Sequence, residues 1–354
     1  RKNIFDNLDN DPRLKGVSVR NKKNITTINK GIFTSCKEEG NCPPWVISAK
    51  KITHDKNKKL LIYDDALLKI YNVPVLYFPK FFHPDPTVKR QSGLLKPQFN
   101  NSNILGSSFN IPYYHVLADN RDFTFIPTIF DNDIKMFQNE YRQKNQNSSL
   151  EIDFGFVDDY KSALSSKKKS ISHLFANFDL DLAFDNFVNS EFLLTVQKVT
   201  NDTYLKVFDG NLFKNELTPD NYDVLNSEAK VILNNENYDF TGGFQSFENL
   251  QLVSSDRYQF ILPYYDFNKQ IFKNFENGFI NFSSYGNNDL NNTNNLKTRV
   301  INDLTFNSSD LISNKGFKNN YNLYFKNLNT TATNDSQYKS SAQIELMGIL
   351  ELNS

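Results

Sequence analysis

The sequence is poor in several things, and each shortage excludes something. Its 354 residues include one tryptophan, two methionines and two cysteines. Lys plus Arg and Asp plus Glu number 40 each, giving a net charge of zero. The basic excess that accompanies nucleic-acid binding is therefore missing. Mean hydropathy is −0.55, and no run approaches the ~20 apolar residues that a membrane helix requires. The first stretch, "RKNIFDNLDNDPRLKG", has charge but no apolar segment of secretory-leader length. The patterns after it read as strands and turns already in progress, so we expect an internal piece of a longer protein. The two cysteines, Cys36 and Cys42, lie in "CKEEGNC" with no second Cys or His pair nearby, which leaves no zinc site. Two readings stay open for them: a small disulfide loop in an oxidising compartment, or two unpaired thiols.

Catalytic signatures are scarce too. The four histidines, His54, His83, His115 and His173, fall on separate β patterns without metal-ligand or triad spacing. There is no Gly-rich phosphate loop and no nucleophile elbow. The sequence predicts no enzyme, no cofactor and no metal.

What is present is aromatic and alternating. Aromatics make up 14% of the chain, with 32 Phe and 17 Tyr, a bias that favours strands. Residues 1 to about 83 carry short β patterns. Trp45, Ile47 and Ala49 alternate with Val46, Ser48 and Lys50, and "LLIYDDALLKIYNVPVLYFP" supplies two further strands. Such strand pairs suit a stacked or jelly-roll β domain. The run "YFPKFFHPDPTVKRQSGLL" then packs prolines among phenylalanines, which excludes helix and marks a junction.

Beyond it the alternation lengthens. Leu174, Ala176, Phe178, Leu180, Leu182 and Phe184 are apolar at every second position, with Asn177, Asp179 and Asp181 between them. Eleven such residues, tilted by roughly 40°, rise about 27 Å, close to the apolar band of an outer-membrane barrel. Weaker versions recur, separated by Asn-rich stretches such as "YGNNDLNNTNNLKT" and "NLNTTATNDSQYKSS", which read as long loops. A soluble sandwich would alternate as well, but the aromatic load and these connectors favour a barrel: leucines and phenylalanines toward lipid, Asn177, Asp179 and Asp181 toward a lumen.

The junction also carries a resemblance. "WVISAKKITHDKNKKLLIYDDALLKIYNVPVLYFPKFFHPDPTVKRQSGLLKPQF", then "LGSSFNIPYYHVLADNRDFTFIPTIF" and "EYR", resemble the lipopolysaccharide-assembly outer-membrane protein family, LptD, also called organic-solvent-tolerance protein. The "HPDPTVKRQSG" version resembles its alphaproteobacterial form. The resemblance is strong over residues 31 to 142 and looser at "SDRYQFILPYYDF" and "LKTRVINDLTF". It implies an all-β chain: a periplasmic jelly-roll or slide domain, incomplete at its N-terminus, over residues 1–88, and part of a large antiparallel outer-membrane barrel, incomplete at its C-terminus, over residues 89–354. The implied function is reception of lipopolysaccharide from a periplasmic bridge and its insertion into the outer leaflet of a Gram-negative bacterium, through a lumen and a lateral gate. Implied partners are lipopolysaccharide, a plug lipoprotein of the LptE type, a bridge protein of the LptA type and the barrel-assembly machinery. A general porin or receptor with a periplasmic β extension is the alternative.

The same resemblance assigns roles to residues. Ile47, Leu68, Ile70 and Phe82 would line a lipid A groove, while Lys89 and Arg90 would lie where a phosphorylated headgroup passes, unless they are loop charges that meet nothing anionic. Cys36 stands where the family places a cysteine that tethers the slide to a distant partner. Pro112 in "FNIPYYHV" and Pro127 in "FTFIPTIF" interrupt strand patterns, where each removes a ladder donor. Their position in consecutive early strands implies the lateral gate.

Overall fold

The computed structural model describes residues 13–34, 44–85, 87–88, 90–161, 167–253, 255–275, 278–291, 294–333 and 335–352. The chain divides into two compact units, Arg1–Ser92 and Gly93–Ser354.

The first unit is a six-stranded antiparallel sheet. Its strands are β1 (Arg13–Lys15), β2 (Ser18–Lys22), β3 (Ile25–Thr34), β4 (Trp45–Asp55), β5 (Leu60–Ile70) and β6 (Val73–Pro84), ordered β1-β3-β4-β5-β6 with β2 also on β3. Strand alternation brings one face together into a core of Ile28, Phe33, Ala49, Ile52, Leu61, Tyr63 and Ala66. Ile52 stands opposite Tyr63 in the β4–β5 register, and both are fully buried. Burying a side chain of this size contributes about 1.5–3 kcal/mol. The sequence pattern makes the prolines of the junction end the pairing, but β6 runs through Pro74 and Pro79 and stops only at Pro84. Lying last in the strand order, it tolerates residues that cannot donate outward.

The second unit is one 17-stranded sheet. It begins with short pieces, β7 (Gly93–Leu94), β8 (Gln98–Ser102), β9 (Gly106–Asn110) and β10 (Tyr113–Ala118). An antiparallel meander of longer strands follows: β11 (Arg121–Phe130), β12 (Lys135–Lys144), β13 (Ser148–Tyr160), β14 (Lys169–Asp181) and β15 (Asn189–Val199). After the short helix α1 (Tyr204–Phe208) come β16 (Val224–Asn234), β17 (Tyr238–Asn249), β18 (Tyr258–Phe275), β19 (Gly278–Asn291) and β20 (Asn295–Ser308). The two-residue β21 (Leu311–Ile312), β22 (Phe317–Ala332) and β23 (Asp335–Leu352) complete it. No helix among the described residues is long and apolar enough to cross a membrane, which says nothing of crossing by strands.

Alternation gives this sheet two different faces. Leu150, Ile152 and Phe154 of β13 stand opposite Phe178, Ala176 and Leu174 of β14 on an open face. The other face of the same strands carries Asp153, Val157, Ile171, His173 and Phe175, all buried. The cover is the segment between β15 and β16, whose Tyr204, Leu205 and Phe208 are fully buried in one cluster with Leu105, Phe130, Met136 and Val157.

Two expectations need correction. The regular run 174–184 is not one strand: β14 ends at Asp181, the Leu182 amide still donates to the Ser190 carbonyl at 2.8 Å, and Ala183 turns the chain with a φ of 51°, so Phe184 leaves the ladder. Asn177, Asp179 and Asp181 do share the face opposite to Leu174, Phe178 and Leu180, as pleating requires. The Asn-rich stretches are not long loops either. They lie mostly within β19, β20, β22 and β23, where their polar side chains bond across the strands: Thr298 Oγ1 donates to Asn288 Oδ1 at 2.8 Å, and Asn327 Oδ1 accepts from Asn302 Nδ2 at 3.4 Å.

Candidate functional site

The first two passes of the large sheet are interrupted at one level, beside a third, β11, that runs unbroken through Pro127. The second pass breaks at Ile111 and Pro112, between β9 and β10. It keeps a single register along β11 on both sides of the break, with Asn110 opposite Thr128 and Tyr113 opposite Phe125. Ile111 therefore lies opposite Pro127, and Pro112 opposite Ile126. The two prolines singled out in the sequence meet across one strand pair.

The structure adds a third. The first pass breaks over Leu95, Lys96 and Pro97, between β7 and β8, whose ladders place Leu94 opposite Tyr113 and Gln98 opposite Asn110. The amide of Leu95 still donates to the Pro112 carbonyl, at 2.8 Å. Sequence reasoning passed over Pro97, although the signal was there: 97, 112 and 127 are spaced fifteen and fifteen residues apart, one hairpin period each.

Around the break the open face is aromatic. Phe99 and Phe109 touch with ring centres 4.6 Å apart, Phe125 and Phe137 with 6.1 Å, and Phe137 and Phe156 with 5.1 Å. The covered face there is polar and incompletely satisfied. Asn110 Oδ1 and Thr128 Oγ1 are buried and have no hydrogen-bond partner among the described residues. Leaving such groups unmade costs about 1–3 kcal/mol each.

The corner "HPDPT" in the first unit is built in the opposite way. Asp85 is buried; its Oδ2 accepts from His54 Nε2 and its Oδ1 accepts from the amide and hydroxyl of Thr87, each at 2.9 Å. Burial acts to raise the Asp85 pKa, but the Thr87 bonds and His54 outweigh it and hold the carboxyl below its ordinary value. His83 donates from Nδ1 to the Pro84 carbonyl, so its Nε2 accepts from Tyr63 OH at 2.7 Å. Burial lowers the His83 pKa, against opposing pulls from Pro84 and Asp85.

The groove residues divide. Ile47 packs against the core of the first unit and stands opposite both Phe33 and Leu68, so Leu68 shares its face. Ile70, opposite Trp45, continues that face at its edge and is 43% exposed. Phe82 does not belong with them: it stands opposite Ile62, between the core-facing Phe81 and His83, and is 63% exposed on the other face. Alternation along β6 is the reason. Arg90 is exposed. Lys89, Cys36 and Cys42 lie outside the described residues. No group of three His, Cys, Asp or Glu side chains among the described residues could hold a metal ion.

A six-stranded β unit followed by a long antiparallel meander, with an apolar aromatic face and long strands of 10–18 residues, defines the class: an all-β protein whose large sheet is consistent with part of a β-barrel wall. No family model matches the sequence. Among curated proteins the chain is 25% identical over 266 residues to the LPS-assembly protein LptD of Idiomarina loihiensis, covering 70% of this chain and 33% of that protein. It is 37% identical over 106 residues to the LPS-assembly protein LptD of Polaromonas sp., covering 29% of this chain and 13% of that protein. It is 27% identical over 237 residues to the namesake of Legionella pneumophila, covering 64% and 27%. The chain thus spans a third or less of the length of these relatives. The similarity to LPS-assembly proteins LptD is distant and covers part of each of them.

Proposed function

We propose that this chain is the junction and early wall of an outer-membrane translocon that places lipopolysaccharide in the outer leaflet of a Gram-negative bacterium. It is a transport protein and not an enzyme. Its first unit, up to the corner after Pro84, lies in the periplasm and receives lipid A from a bridge protein of the LptA type along the face of Ile47, Leu68 and Ile70. Arg90 and Lys89 lie on the path of the phosphorylated headgroup. A plug lipoprotein of the LptE type and the barrel-assembly machinery complete the assembly, and Cys36 is bridged to Cys42 or to a cysteine outside this chain.

The observation that carries the reading is the pair of aligned breaks at Pro97 and Pro112, with Pro127 facing the second of them from the unbroken β11. Each proline lacks an amide donor, so the first passes are joined by fewer ladder bonds than the wall behind them. Lipid A leaves sideways where pairing is weakest, and the aromatic open face receives its acyl chains. A photo-crosslinking residue at Ile47, Leu68 or Phe82 of the full-length protein tests the receiving face. Lipopolysaccharide adducts are expected at Ile47 and Leu68 and not at Phe82; adducts of equal yield at all three positions would remove the groove from the reading.

A further inference from the structure

The net charge of zero hides an imbalance between the two units. Residues 1–92 hold 18 Lys and Arg against 9 Asp and Glu, whereas residues 93–354 hold 22 against 31. Five lysines of the basic unit collect at one end of its sheet. Lys22 and Lys23 stand where β2 turns into β3, and Lys56, Lys58 and Lys59 where β4 turns into β5, all of them exposed.

The two turns are fastened to each other, which holds the lysines in one group. The Lys56 amide donates to the Asn24 carbonyl at 2.9 Å, and Asn24 Nδ2 donates to Asn57 Oδ1 at 2.7 Å. The carboxylate of these turns, Asp55, shapes the loop: its Oδ1 accepts from the amides of Asn57 and Lys58 at 3.0 and 3.1 Å. None of the five lysines is ion-paired with a carboxylate among the described residues.

Apolar side chains stand uncovered beside them. On the sheet face turned away from the core, the last row across the strands is Lys22, Ile25, Asp55, Leu60 and Pro84, and the row before it is Arg20, Thr27, Thr53, Ile62 and Phe82. Ile25 and Phe82 are both exposed. Cations with an aromatic ring and an aliphatic chain among them suit a surface that lies on a membrane, the charges at the headgroups and the apolar groups at the boundary below. The chain also leaves the first unit from this end: β6 stops at Pro84, and Gly93, where the large sheet begins, follows nine residues later, a reach of at most roughly 30 Å.

We propose that this lysine-rich end of the first unit is a docking surface for the anionic phospholipid headgroups of the membrane, with Ile25 and Phe82 entering the boundary beneath them. The proposal rests on the reading of the large sheet as an outer-membrane wall and goes beyond it. The first unit is held at the membrane surface by its own charge as well as by the chain that joins it to the wall. Phe82, which does not share the face of Ile47 and Leu68, thereby has a contact of its own.

The test places a photo-crosslinking amino acid at Phe82, at the exposed Tyr71 in the turn at the opposite end of the sheet, or at Phe154 on the open face of β13. Each full-length protein is held in nanodiscs of phosphatidylcholine with or without phosphatidylglycerol, and phospholipid adducts are read by mass spectrometry. Phe82 is expected to give roughly fivefold more adduct or better when phosphatidylglycerol is present. That gain should vanish with Lys22→Gln, Lys23→Gln, Lys56→Gln, Lys58→Gln and Lys59→Gln together, and equally when salt is raised on the unaltered protein. Tyr71 should give no adduct in either disc. Phe154 should give adducts in both discs and in the Gln variant, which shows the wall in place; the salt series needs no substitution and decides the case if that variant does not fold. A Phe82 yield that matches Tyr71, or that ignores phosphatidylglycerol, overturns the docking surface and leaves the wall standing. Phe82 adducts that pass to lipopolysaccharide when it is added to the disc overturn the assignment to phospholipid. No adduct at Phe154 overturns the wall reading and this proposal with it.

Discussion

Prolines stand at the corner after β6 and at the break in the large sheet, and the two places are finished in opposite ways. At the corner after β6, the bonds lost at Pro84 are replaced: Asp85 accepts from His54 and Thr87, and His83 joins the Pro84 carbonyl to Tyr63. At the break in the large sheet one backbone bond remains, from the Leu95 amide to the Pro112 carbonyl, and the side-chain atoms Asn110 Oδ1 and Thr128 Oγ1 are buried without hydrogen-bond partners among the described residues. A proline alone therefore does not make a movable joint. What decides is whether other groups take over the hydrogen bonding, and on that ground the corner is a fixed elbow and the break a weak seam.

The largest expected effect is at the elbow. Asp85→Ala leaves His54 buried and stripped of its carboxylate, and breaking a buried pair in this way costs about 3–5 kcal/mol. Amide hydrogen exchange should lose protection along β4 and β5 while the large sheet keeps its own; unchanged protection would make the elbow as loose as the seam.

Next comes the unbroken wall as the reference for the seam. Phe154, in the middle of β13 on the open face and 39% exposed, should cost about 2–4 kcal/mol when changed to Arg, as at a bilayer midplane. Asp179→Arg, on the opposite face of β14, should cost less than about 1 kcal/mol. Folding titrations in lipid vesicles separate the two, and equal costs would remove the distinction between faces.

Acidification should sharpen the contrast further. The Asp85 carboxyl is held below its ordinary value, so its contribution is present above the usual carboxylate range and is lost as pH falls through the lowered value. His83 is held below its ordinary value by burial, so it folds neutral and its protonation on acidification also opposes folding. Both signs agree: the elbow unit loses stability as pH falls below about 6.5. Asp85→Asn should flatten the lower part of that profile, read by tryptophan fluorescence of Trp45 against pH.

The smallest effect is at the seam. Thr128→Val removes an unpartnered buried hydroxyl without changing shape, and is expected to be neutral or stabilising by up to about 1 kcal/mol. Thr87→Val at the elbow, which deletes a bond to Asp85, should destabilise by about 1.5–3 kcal/mol. Melting temperatures of the two variants should move in opposite directions, or the seam variant not at all.

Much of this was legible in the sequence. Alternation at Leu174, Ala176, Phe178 and Leu180 identified a wall strand and its open face, because the pleat has a period of two. It did not reveal where the strand ends, since Leu182 and Phe184 keep the period past Asp181, where β14 stops. The Asn-rich stretches read as loops because their side chains carry no periodic apolar signal; in the fold they pair through hydrogen bonds from strand to strand. Pro112 and Pro127 were legible as interruptions, but their meeting across one strand pair depends on register, which a single strand pattern does not specify. The covering segment was the least visible. Tyr204, Leu205 and Phe208 form barely more than one helical turn, too short for periodicity, and their burial depends on His173 and Asp153 from strands far away in sequence.

The central claim is that lipopolysaccharide leaves through a seam weakened by its prolines. The most direct test is surface lipopolysaccharide in cells carrying Pro112→Ala with Pro127→Ala in the full-length protein at matched level. Restoring one or two ladder bonds, worth about 0.5–1.5 kcal/mol each, should slow delivery without lowering barrel stability. Delivery at the unaltered rate, with the added bonds confirmed by slow amide exchange at the two substituted positions, would contradict the account.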